Sequence, residues 1–167
     1  MFANKRLSKE LLKMQDHIPP GISIGKSDNL EEWQMDIKVL DDNNPIYKGH
    51  TYRLKFTFSN KYPIEPPEVQ FIELPSTSDT PRPIPMHPHI YSNGIICLDL
   101  LSSSGWSPVQ TVESVCMSIQ SMLTANSRNE RPPVIASSWR IIVGAFEIFR
   151  SFMRMIMFDV VCVLNGI

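Results

Sequence analysis

The sequence predicts a single α+β domain in which a helix precedes an antiparallel meander and a second helix follows it. Two periodicities carry that reading. Apolar residues recur at helical spacing near the N-terminus and again after Thr111, and apolar and polar residues alternate strictly in two stretches between. A third observation is size: 167 residues, 43% of them hydrophobic, suffice to bury one core.

In order along the chain, Leu7, Leu11, Leu12 and Met14 mark an apolar side of a helix over residues 5–15, with Lys5, Arg6, Lys9 and Lys13 on the other side. Pro19, Pro20 and Gly21 end it. Trp33, Met35, Ile37 and Val39 then alternate with Glu32, Gln34, Asp36 and Lys38, the period of a half-buried strand. After the turn "DDNNP" the same period returns in Tyr52, Leu54, Phe56 and Phe58, and a short strand fits residues 69–72. Short connections between successive strands favour antiparallel neighbours. The segment "KYPIEPPEV" holds three prolines that cannot serve a ladder, so it should form a stiff surface loop displaying Ile64. Residues 74–91 contain five prolines and should run as a long irregular loop, which a compact domain seldom keeps without a use. Thr111 is a suitable N-cap for the second helix, Glu113 suits its first turn, and Val112, Val115, Cys116, Ile119, Met122 and Leu123 share one face.

Lysine plus arginine (16) nearly balance aspartate plus glutamate (17), so no basic field points to nucleic acid and a protein partner is expected instead. Three widely spaced cysteines, Cys97, Cys116 and Cys162, do not resemble a disulfide framework and favour a reducing compartment, cytoplasm or nucleus. Charges punctuate the N-terminus where a signal peptide would need an apolar run. Residues 134–167 are rich in Ile, Val, Phe and Met, but Arg140, Glu147, Arg150, Arg154 and Asp159 interrupt them. A bilayer span needs about 20 consecutive apolar residues, so membrane contact through this segment is not expected. An amphipathic helix that packs on the domain, a partner or a membrane surface is one alternative, and a product of shifted or unspliced reading of the gene is another.

The stretch "MHPHIYSNGIICLDLL" concentrates the chemistry. Zinc would need thiolate and imidazole ligands converging at about 2.0–2.3 Å, usually from paired motifs, and only His87, His89 and one distant cysteine are offered. No metal site is expected. A thiol protease would pair Cys97 with His89 and Asn93, yet the surrounding protease signatures are missing. Composition alone would bury Cys97 in the apolar "IICLDLL", as Cys116 is expected to be buried on its helix. Its place after a Ser92-Asn93-Gly94 turn and a proline-rich loop, with Asp99 close behind, is instead the kind of position where reactive residues gather.

Taken together, "KRLSKELLKM", "PPG", "YPIEPPEVQF", "HPH", "YSNGIICLDLL" and "WSPVQTVESVCMSIQSML" resemble the catalytic domain of ubiquitin-conjugating enzymes, in order from Lys5 to Pro133. Where most of that family has "HPN" this chain has "HPH", and "RPP" replaces an Asp-Pro-Leu-like stretch; both departures resemble the W type, which modifies α-amino groups of disordered protein N-termini as well as, or in preference to, lysines. The resemblance implies a UBC-like fold with an N-terminal helix, a four-stranded antiparallel meander, an active-site loop, a central helix and an atypical C-terminal segment. The alternating pattern does not place the fourth strand. Residues 1–133 would be the catalytic domain, and 134–167, which match neither the C-terminal helices nor the polar tail of relatives, a segment of unknown role.

By the same resemblance Cys97 would accept ubiquitin as a thioester and pass it to an amine. Exchange between thioesters needs only a modest thiolate fraction, so no dedicated base beside the sulfur is required. His89, at the position of the family's asparagine, would donate to the developing oxyanion or brace the loop. Asp99, where the W type has serine, would orient or deprotonate the amine. His87 and Asn93 would hold the loop. Lys5, Arg6 and Lys9 would meet the activating enzyme, and Ile64, Ser107, Pro108 and Val109 a RING-type ligase; Ile64 replaces the usual aromatic. No cofactor would be bound, since ATP is consumed by the activating enzyme upstream, and the remaining partners would be ubiquitin and protein substrates. A scaffold that binds ubiquitin or a ligase without transferring anything is the rival reading.

Overall fold

The computed structural model describes residues 2–74 and 81–132, and the expectations for residues 134–167 lie outside them. The chain divides into two units, Met1–Arg131 and Pro132–Ile167.

Helix α1 (Phe2–Asp16) is followed by β1 (Ile22–Lys26), β2 (Glu32–Lys38), β3 (Thr51–Thr57), β4 (Glu68–Ile72), a single 3₁₀ turn (Asp99–Leu101) and α2 (Val112–Thr124). The strands form one antiparallel sheet in the order β1-β2-β3-β4. This is the α+β meander that the sequence predicts, with the fourth strand at its front edge. The period-two pattern did not reveal β1 because it is five residues long, contains Gly25 and changes register between Ile24 and Lys26. Only Ile22 on it is buried. An edge strand of this kind has too few apolar positions to alternate visibly.

Alternation fixes the register of the central pair. Trp33 opposes Phe56, Met35 opposes Leu54 and Ile37 opposes Tyr52, which places all six side chains on the face covered by α2, where they are buried. Val112, Val115, Cys116, Ile119 and Leu123 complete this core from α2. Burial pushes the Cys116 thiol up, so this cysteine is a packing residue. Thr111 caps α2 as expected: its hydroxyl accepts from the Ser114 N–H at 3.1 Å, and the Ser114 hydroxyl accepts from the Thr111 N–H at 2.9 Å.

On the opposite face Asp36 is buried among arginines. It pairs with Arg53 on β3 and, at 3.0 Å, with Arg82 from the segment after β4. Burial pushes its carboxyl up, but the hydrogen bonds and charges of Arg53 and Arg82 overcome that and hold it below the ordinary carboxylate range.

Two expectations for α1 need correction. Leu12 is 67% exposed and turns away from the core, whereas Ala3 and Glu10 take the buried side beside Leu7 and Met14. Arg6 does not lie on a free basic face. Its guanidinium is half-buried between the Glu10 carboxylate and the Gln110 carbonyl, the latter at 2.8 Å, because Glu10 needs a cation once it is buried.

Candidate active site

After β4 the chain makes its long proline-rich excursion and comes back to the sheet edge. Gly94 accepts from the Phe71 N–H at 2.9 Å, and Ile95 bridges to Gln70. The turn that makes this approach is the predicted Ser92-Asn93-Gly94. Asn93 accepts from the Ile95 N–H at 3.2 Å, the Gly94 N–H donates to the Tyr91 carbonyl at 2.9 Å, and Gly94 has φ +87°. A Cβ at Gly94 would lie 1.9 Å from the Phe71 carbonyl oxygen, a backbone atom that cannot step aside. Gly94→Ala is therefore expected to destabilise the domain by about 2 kcal/mol or more and to peel the turn off β4. Hydrogen exchange at the Phe71 amide would show it; unchanged protection there would contradict the account.

Cys97 follows immediately and is half-buried. Its N–H donates to the His89 carbonyl at 2.8 Å, and the neighbouring Ile90 and Ile96 are bridged to one another and buried in the core. Residues eight apart in sequence are thus brought together by backbone. The two histidines are placed differently. His87 is buried, its Nδ1 accepts from the His89 N–H at 2.9 Å, and its ring also hydrogen-bonds to the Met122 backbone on α2. Burial, followed by the nearby His89 ring, holds the His87 imidazole below its usual range, which keeps Nδ1 an acceptor. His89 is exposed at the surface of the loop, its ring centroid 5.5 Å from that of His87. Asp99 opens the 3₁₀ turn with its side chain exposed, while its carbonyl accepts from both the amide (2.9 Å) and the hydroxyl (2.7 Å) of Ser102. Among the described residues no group of three or more His, Cys, Asp or Glu is arranged to hold a metal ion.

Residues that sequence reasoning did not single out hold this loop in place. Tyr47 donates to the Met86 carbonyl at 2.6 Å and accepts from Asn126 at 2.6 Å. Burial raises its hydroxyl pKa against the opposing effects of Asn126 and Arg131. Arg131 donates to the carbonyls of Ile84 (3.1 Å), Pro85 (3.0 Å), Ile90 (3.2 Å) and Tyr91 (3.3 Å). The motif "RPP" was visible as a departure from the common pattern, but nothing local to it indicates which carbonyls it reaches.

A sequence model described as "Ubiquitin-conjugating enzyme" matches residues 6–153. The chain belongs to the ubiquitin-conjugating enzyme family. It is 48% identical over 128 residues to "Probable ubiquitin-conjugating enzyme E2 W" of Dictyostelium discoideum, covering 77% of this chain and 78% of that protein. It is 39% identical to "Ubiquitin-conjugating enzyme E2 W" of Caenorhabditis elegans, over 78% of this chain and 80% of that one. Among solved structures, the ubiquitin-conjugating enzyme E2 UbcA1 from Agrocybe aegerita superimposes with a TM-score of 0.69 at 40% identity, covering 78% of this chain and 87% of that chain. Both the family and the likeness to the W type read from the motifs are thereby supported, and so is the fold.

A ubiquitin-conjugating enzyme works between an activating enzyme and ligases, so the surfaces next to the site matter. Lys5 and Lys9 are exposed on α1. Ile64 and Val109 are 71% and 80% exposed, Pro108 is exposed and Ser107 half-buried. The two loops that carry them are tied together: the Trp106 indole N–H donates to the Pro63 carbonyl at 2.7 Å, and Gln110, which closes the Ser107 turn, receives Arg6 from α1. Glu10 joins all three elements. Besides Arg6, it accepts from the Tyr62 hydroxyl and from the Val112 N–H at the start of α2, each at 2.9 Å. Burial and the Glu10 carboxylate push the Tyr62 hydroxyl pKa well up, so the phenol stays a donor.

Proposed function

We propose that Cys97 receives ubiquitin as a thioester from the activating enzyme and transfers it to protein amino groups, with α-amino groups of N-termini as preferred acceptors. The observation that carries this reading is the backbone hydrogen bond from Cys97 to His89, which ties the residue with the half-buried thiol to the residue with the exposed imidazole on a loop stitched to the sheet. In the first step the Cys97 sulfur attacks the ubiquitin thioester carbonyl and the activating enzyme's thiolate leaves. In the second, an amine attacks, the carbonyl oxygen takes up charge, the C–S bond breaks and an amide forms while the nitrogen gives up a proton. A neutral His89 has an N–H to offer that oxygen. Asp99, exposed on the following turn, can take or orient the amine proton. Lys5 and Lys9 supply a basic contact for the activating enzyme, while Arg6 ties their helix to the Gln110 loop. Ile64, Ser107, Pro108 and Val109 offer a small preformed patch to a RING-type ligase, of the size suited to transient encounters.

The preference for α-amines follows from acidity. An α-amino group has a pKa near 7.7–8.0 and lysine about 10.4, so at pH 7 the unprotonated fraction of the former is greater by roughly 300-fold. A site whose loop offers an imidazole in place of an amide then needs less help in removing a proton. Offered a lysine-free substrate with a free or an acetylated N-terminus, the charged enzyme is expected to modify the first and leave the second unmodified. Equal modification of both would refute the preference. Asp99 favours a second reading, in which lysine is also accepted, and free lysine discharging the thioester as fast as an N-terminal peptide would establish it.

A further inference from the structure

We infer that Arg131 is a positioning residue for amine transfer: it fixes the bend through which His89 is tied by its backbone to Cys97. The inference rests on the reading of Cys97 and His89 given above. Its ground is the pattern of acceptors. Ile84 and Pro85 lie just before the histidine pair and Ile90 and Tyr91 just after it, so one guanidinium closes both ends of the bend. Within that bend the His89 N–H is bound to His87 and its carbonyl to the Cys97 N–H. The position of His89 relative to Cys97 therefore depends on a loop whose base is held by Arg131, with Tyr47 holding Met86 between the ends.

The donor geometry requires arginine. Its planar fork carries five N–H donors and spans separated acceptors, whereas the ammonium of lysine is a point donor on a flexible stem. Every acceptor that Arg131 reaches here is a neutral carbonyl, so a lysine would retain the charge and lose the span. Thioester exchange with the activating enzyme should feel this little, because the attacking sulfur is a strong nucleophile and the exchange is nearly balanced. Amine attack, which draws on a placed donor, should feel it strongly, since small misplacements of a reacting group are costly.

The test uses the full chain in single turnover: charge with ubiquitin, stop the activating enzyme, add an amine and follow loss of the thioester on non-reducing gels. Arg131→Lys is expected to charge to within about twofold of wild type and to discharge roughly tenfold more slowly. His89→Ala should slow discharge by about 100-fold. The double variant should discharge no more slowly than His89→Ala alone, because a residue acting through His89 has nothing left to place. A wild-type discharge rate in Arg131→Lys overturns the inference while leaving the proposed function intact. So does a double variant that shows both losses multiplied, the mark of a merely structural role. His89→Ala at the wild-type rate would instead remove the donor role itself, and the route through it. If Arg131→Lys fails to fold, Tyr47→Phe, which removes one hydroxyl from the same bend, is expected to give a loss of about threefold that also vanishes in the His89→Ala background; a multiplicative loss there overturns the inference equally.

Discussion

Cys97→Ser is expected to change the ubiquitin adduct from one destroyed by thiol reductant to one that survives it. A thioester exchanges with added thiol because its leaving group is a comparatively acidic thiol; a serine ester would have to expel an alkoxide, a far poorer leaving group. On a reducing gel the wild type should show no ubiquitin-sized shift and Cys97→Ser a persistent one, while Cys97→Ala shows none under either condition. Cys116 is the internal control among the described residues, since it is buried on α2 with its thiol pKa pushed up and has no access to a partner's thioester. Cys116→Ala should keep the labile adduct at some cost in stability. An adduct of unchanged lability in Cys97→Ser, or any adduct in Cys97→Ala, would place the carrier elsewhere.

Glu10→Ala is expected to be the most destabilising of the surface-adjacent changes, by about 3 kcal/mol. The side chain is almost fully buried and serves three donors from three parts of the chain: the Arg6 guanidinium, the Tyr62 hydroxyl and the Val112 N–H. Removing it leaves a buried phenol and a helix N-terminal amide unpaired and takes from a half-buried arginine its counter-charge, and each orphaned group costs about 1 kcal/mol or more. Glu10→Gln keeps acceptors for two of the donors and should lose less than half as much. Urea unfolding followed by tryptophan fluorescence would measure both. A loss below about 1 kcal/mol for Glu10→Ala would mean that water or relaxation satisfies these groups and that the carboxylate is no hub.

How far the structure could be read in advance depends on whether the informative contacts are periodic. Strands β2 and β3 were legible because Trp33, Met35, Ile37, Tyr52, Leu54 and Phe56 all face one core. Helix α2 was legible for the same reason, and its Thr111 cap because capping chemistry is local. Strand β1 escaped because an edge strand with one buried residue has no pattern to show. Leu12 misled because hydrophobicity alone cannot tell a core position from an exposed one two positions from Met14. The site itself is built from contacts across long stretches of chain. Nothing periodic links His89 to Cys97, Glu10 to Val112 over 102 residues or Arg131 to Ile84 over 47. The first of these was legible only as a family resemblance, and the other two not at all, because the polar groups concerned find their partners through the finished tertiary structure.

The order in which the chain leaves the ribosome gives the clamp at Arg131 a further meaning. His89, Cys97 and Asp99 are synthesised well before Asn126 and Arg131, which fasten the bend around the histidines. A nascent or prematurely ended chain thus carries the groups proposed to react but lacks the hydrogen bonds that close the loop around the histidines. Under the proposed roles, competence to deliver ubiquitin would then be conferred last, by residues at the end of this unit, and a shorter chain would lack the ties made by Asn126 and Arg131.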